Sequence, residues 1–133
     1  MVKPELREAF MKARIRAEEP EGGWPEGFGV VTACNPNGVT LSDSENAALT
    51  RKLETSLRGA GKLIFPVMGC DRNSAHEEPG FGVVCDEAEI LRLGREWDQL
   101  AVFWVEAGEV WLLFCEPGGE KIHLRSLPEM VRA

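Results

Sequence analysis

No run in the chain approaches the ~20 apolar residues that a membrane-spanning helix needs. There is no C-x-x-C pair, no surplus of positive charge, no internal repeat and no low-complexity tract. Each absence removes a class of function. Residues 1–8 lack the charged-then-apolar layout of a secretory signal, so a cytoplasmic protein without a membrane anchor is expected. Fifteen Lys and Arg stand against 22 Asp and Glu, a formal net charge of −7, which argues against nucleic acid as a partner, since such binders neutralise phosphates with basic side chains. Lys3, Arg7, Lys12, Arg14 and Arg16 cluster, but Glu5, Glu8, Glu18 and Glu19 interleave with them and make a solvated, salt-bridged surface. Cys34, Cys70, Cys85 and Cys115 are widely spaced and read as small buried hydrophobes. His76 and His123 lie far apart, so no metal site is assigned, and no cofactor is implied.

What is present is an ordinary globular composition, 44% hydrophobic and 28% charged over 133 residues, suited to a single α+β domain with its own core. Pro4 fits a first helical turn, and Leu6, Phe10, Ala13 and Ala17 recur at helical spacing. They predict an amphipathic helix over 4–18, inside an N-terminal segment 1–19. Residues 20–27, rich in Pro, Gly and Glu, form a linker in which Trp24 plugs an apolar gap. The sheet core spans 28–125. Residues 28–34 make a strand that is apolar or small on both faces and hence covered on both. Ser42 and Glu45 form a capping box that opens a helix, with Leu49, Leu53, Leu57 and Ala60 as its inner stripe. A second strand runs over 63–68, and Pro66 demotes it to a sheet edge. Residues 69–80 read as a polar loop and 81–85 as a third strand. Asp86 and Glu89 repeat the capping pattern. Residues 100–105 and 110–115 are buried strands joined by the two-residue turn Ala107-Gly108, and 121–125 adds a short last strand.

The order β-α-β-β-α-β is the split β-α-β, or ferredoxin-like, pattern of a mixed, mainly antiparallel sheet. It carries extra C-terminal strands and an N-terminal helix. Two helices would cover one face, leaving the N-terminal helix to cover the other. That topology gathers Thr32, Asn35, Asn37, Ser42 and Asn46 at one end of the sheet with Asp71, Arg72, His76, Glu77, Glu78 and Gln99. Convergent polar groups beside a helix N-terminus are the default place for a ligand. Each also has a plain reading. Asn35-Pro36-Asn37-Gly38 has turn composition, Ser42 is explained by capping, and Arg72 has Asp71 and Glu77 as ion-pair partners ahead of any anion. His76 and Glu78 supply the one acid–base pair.

Phe28 through Pro36, then Ser42 and Asn46, Gly69, Glu78 with Phe81 and Val83, and Gln99 through Trp104 occur in an order that resembles a bacterial family. It is catalogued as domain of unknown function 3293, and the likeness covers roughly 28–105. It implies a bacterial, cytosolic, single-domain protein and no catalytic residues, and it draws attention to Asn35, Asn46 and Glu78. The leading expectation is a protein that binds a small polar or anionic ligand through Thr32, Asn35, Asn37, Ser42, Asn46, Arg72, His76, Glu78 and Gln99. The competing expectation is an interaction or homodimerisation module using a sheet edge or the N-terminal helix. An enzyme using His76 and Glu78 ranks third.

Overall fold

In the computed structural model, which describes residues 2–71 and 76–132, Pro4 opens helix α1 (Pro4–Lys12). Ala13 ends it in an extended conformation, φ −60° and ψ 154°. The helix expected over 4–18 is therefore shorter, and Arg14–Arg16 forms strand β1 instead. Tertiary packing overrides local periodicity here, because Ile15 is 1% exposed inside a core. Strand β2 (Gly27–Thr32) stops two residues before the expected end, and Asn35 then takes a left-handed conformation, φ 48°, ahead of a short 3-10 turn at Pro36–Gly38. Helix α2 (Asp43–Gly59) begins with the full Ser42–Glu45 capping box.

Strands β3 (Ile64–Cys70) and β4 (Glu77–Val83) form a hairpin in which Gly69 pairs with Glu78 and Cys70 with Glu77. Much of the loop expected over 69–80 is thus strand. Ladder bonds are made by the main chain and persist where the side chains are polar. Arg72, expected among the ligand contacts, lies outside the described residues. Helix α3 (Glu87–Glu96) is capped by Asp86, whose carboxylate accepts from the Glu89 N–H at 2.8 Å. Strands β5 (Ala101–Glu106) and β6 (Glu109–Phe114) are joined by Ala107 and Gly108, both at positive φ, the primed turn that matches strand twist. The chain ends with strand β7 (Lys121–Ser126), a one-turn helix α4 (Leu127–Met130) and strand β8 (Val131–Arg132).

Among the described residues this is an α+β fold of four α-helices and one eight-stranded mixed sheet, ordered β7-β6-β5-β2-β4-β3-β1-β8. Neighbours are antiparallel except β1 and β8, which are parallel. The expectation that β3 is an edge is corrected, since β1 and β8 lie beyond it. Pro66 is accommodated because β1 pairs only with Met68, Gly69 and Cys70, leaving Pro66 exposed past the end of that ladder.

The sheet has to curl. Edge strands seven spacings apart in a flat sheet would be separated by about 34 Å at ~4.8 Å per strand. Yet only Leu127–Met130 links the end of β7 to the start of β8, a reach of at most about 18 Å. Arg125 of β7 accordingly touches the far side, donating to the carbonyl oxygens of Met11 at 2.7 Å and Ala13 at 3.0 Å.

Curling gives the two faces different covers. On the outer face, α2 lies against β4 and α3 against β2 and β5, burying Leu53, Leu57, Ile90 and Leu93 with Val31, Phe81, Val83 and Trp104. The inner face closes on itself around Phe28, Val30, Val67, Val105 and Val110, with Ile15, Leu127 and Met130. Trp24 fills a gap there, stacked on Phe28 at 5.9 Å and edge-on to Phe65 at 6.0 Å. Helix α1 is therefore not the sole cover of this face. It buries no residue fully and stands across one mouth of the curled sheet, with Phe10 edge-on to Phe114 at 6.3 Å and Arg7 bonded to Glu120 at 2.7 Å.

Candidate functional site

Because α1 stands off the sheet, a cavity of about 300 Å³ remains beneath it. This is at the small end of the ~300–1,000 Å³ typical of small-molecule pockets. Its roof is Leu6, Ala9, Phe10 and Ala13 of α1, and its walls include Val30, Val67, Leu100, Ala101 and Phe103. Polar groups come from the strand ends and the loops between them: Thr32, Asn35, Thr40, Asp71, His76, Glu78 and Gln99. Of the residues singled out from the sequence, Thr32, Asn35, His76, Glu78 and Gln99 share this cavity; Asn37, Ser42 and Asn46 do not line it.

The local chemistry explains the division. Asn35 and Asn46 form a two-way amide brace: Asn46 Oδ1 accepts the Asn35 backbone N–H at 2.9 Å, and Asn46 Nδ2 donates to Asn35 Oδ1 at 2.9 Å. Asn35 Oδ1 also accepts the Leu41 N–H at 2.9 Å. This pins the left-handed turn at Asn35, a conformation that Asn tolerates better than most residues. Asn37, at φ 58°, donates its backbone N–H to the Asp98 carbonyl at 2.7 Å. Ser42 is engaged by its capping box.

Inside the cavity, Thr32 Oγ1 donates to the Pro79 carbonyl at 2.9 Å and accepts the Cys34 N–H at 3.0 Å. Gln99 Nε2 donates to the carbonyls of Cys34 and Trp97 at 3.2 and 3.1 Å, which holds the amide in place at the β5 end. His76 Nε2 and Glu78 Oε2 lie 3.0 Å apart, with Glu78 the less exposed of the two.

All four cysteines are free. Cys34 and Cys70 line the cavity, and burial pushes the Cys34 thiol up from its ordinary value, against thiolate formation. Among the described residues no three His, Cys, Asp or Glu are placed to hold a metal, and no helix is long and apolar enough to cross a membrane.

The part of the site that polar motifs do not mark is its roof. Leu6, Phe10 and Ala13 are visible as an apolar stripe, but a stripe has the same spacing whether it packs flush or spans a void. The family described as a protein of unknown function, DUF3293, matches residues 31–102. That stretch supplies most of the sheet wall and polar groups, while α1 and Phe103 lie outside it. No curated protein and no solved structure matches the chain.

Proposed function

We propose, for a chain that belongs to the DUF3293 family of proteins of unknown function, that the cavity under α1 binds a small molecule with an apolar body and a polar end. The observation that carries this is the pocket itself, partly open to solvent and lined mainly by apolar residues of α1 and the sheet, with Thr32, Gln99, His76 and Glu78 among its polar groups. Well-packed interiors leave few voids larger than a water molecule. A void of this size, roofed by a helix that buries no residue fully, fits a site better than a packing defect. We read β2-α2-β3-β4-α3-β5 as a split β-α-β unit and the whole chain as one domain, with the terminal segments adding the curl and the roof.

An acid–base role would fall to the His76–Glu78 pair that lines the cavity. A thermal-shift screen of small aromatic and aliphatic compounds tests the proposal, since ligands that bind the folded state raise the melting temperature. Ala9→Phe, which places a ring in the roof, should abolish any such shift. Equal shifts in both proteins would overturn the reading.

A further inference from the structure

We infer that α1 is a lid: it swings on a hinge at Ala13 and lifts at its N-terminal end to admit the ligand. This rests on the cavity being a ligand site and adds the way in. The observation behind it is that the two ends of the helix are fastened unequally.

At the C-terminal end, the carbonyls that a helix leaves unpaired are gripped by charge. Arg125 donates to the Met11 carbonyl at 2.7 Å and the Ala13 carbonyl at 3.0 Å. Arg14 donates to the Lys12 carbonyl at 2.9 Å and to that of Ala13 at 3.0 Å. Guanidinium donors at the negative end of a helix dipole make strong bonds. The chain then enters β1, where Ile15 is buried and paired with both Gly69 and Val131. Ala13, φ −60° and ψ 154°, is thus the joint between a fixed strand and the helix.

The other end is held by groups that touch water. Arg7 bonds Glu120 at 2.7 Å, the side chains being 37% and 62% exposed, and an exposed pair of this kind holds little. The Arg7 guanidinium lies 5.2 Å from the centre of the Phe114 ring, and Phe10 stands edge-on to the same ring. No residue of α1 is fully buried, and elements with little buried surface open before the core does. Solvent hardly reaches the cavity floor: Val67 is 3% and Val30 8% exposed. A ligand seated on those residues needs the roof raised. Its apolar body then meets Leu6 and Phe10 on the underside of the helix and draws the lid down again.

Thiol labelling of the full chain, with no ligand present, tests the lid separately from the thermal-shift screen. Val30→Cys and Val67→Cys, prepared singly, each put a thiol on the floor, and iodoacetamide incorporation is followed by peptide mass spectrometry. Cys115 is the internal reference for global unfolding, because its sulfur faces Gly94 of α3 in the helix-covered core. Both floor thiols should react about tenfold or more faster than Cys115. Arg7→Ala should raise the floor rates about three- to tenfold and Glu120→Gln about two- to fivefold, with Cys115 unchanged. Arg125→Ala, at the hinge, should raise floor and reference rates together, because it also frees the seam between β7 and the far side of the sheet. If the floor thiols react no faster than Cys115, or if Arg7→Ala and Glu120→Gln leave them unchanged or speed Cys115 equally, the lid is overturned. Arg125→Ala speeding the floor alone would overturn the hinge. A fast thiol in Val67→Cys beside a slow one in Val30→Cys would mean fraying of the β3–β4 hairpin, and would overturn the lid too. In each of these cases a thermal shift that Ala9→Phe abolishes leaves the ligand role of the cavity standing.

Discussion

Two asparagines, Asn35 and Asn46, hold the bend that borders the cavity. Asn46 has both amide atoms engaged with Asn35, and the geometry they fix is left-handed. Removing the amide leaves a part-buried backbone N–H without its acceptor, and a net protein hydrogen bond is worth about 0.5–1.5 kcal/mol. Asn46→Ala should therefore lower stability by about 1–3 kcal/mol in urea titration. It should affect ligand affinity no more than a destabilised bend would, because Asn46 does not touch the cavity. The sequence places Asn46 correctly near the end of β2, one turn ahead of Leu49 and Thr50. It carries no sign that the amide points at another asparagine. The direction of a side chain is settled by the backbone turn it meets, and here that turn is created by the pair itself.

At the scale of elements, local rules were readable wherever a single short motif decides the outcome. Ser42 with Glu45, Asp86, and Ala107 with Gly108 mark their caps and turn in place, because each satisfies backbone groups within four residues. Strands β1 and β8 were not readable. Three- and two-residue strands carry no period, and they form only because the curled sheet offers them partners.

The start of α3 shows how an element is clamped from outside. Glu89 is held at about 2, below the ordinary 4.5, first by the hydrogen bond from Arg92 and then by that from Lys62, which lies between α2 and β3. A carboxyl depressed in the folded state contributes stability that is complete above about 4.5 and lost as pH falls towards 2. Its size is modest because the groups touch water. Glu89→Gln should flatten the acid limb of the stability profile across that window and leave the slope at neutral pH unchanged, as followed by denaturant midpoints at successive pH values.

For the molecule as a whole, the step that sequence reasoning could not reach is the closing of the sheet. A doubly apolar set of strands demands a second cover, and α1 is the one spare helix that periodicity reveals. The cover actually comes from curvature, together with Ile15, Trp24, Leu127 and Met130, residues scattered over short segments with no pattern of their own. Met130 is fully buried where α4 carries the chain from one edge of the sheet to the other. Met130→Ala should cost about 2–5 kcal/mol through lost burial and a residual void, measured by chemical denaturation. Its effect should exceed that of truncating Leu91 of α3, which is only partly buried.

The separation of the two cores also fixes what light can report. The chain has four tryptophans and no tyrosine. Trp24 belongs to the interior of the curl, whereas Trp97, Trp104 and Trp111 belong to the helix-covered side. Replacing those three with Phe would leave one emitter, stacked on Phe28, and its fluorescence during denaturation would time the opening of the curl separately from the loss of helical ellipticity on the opposite face.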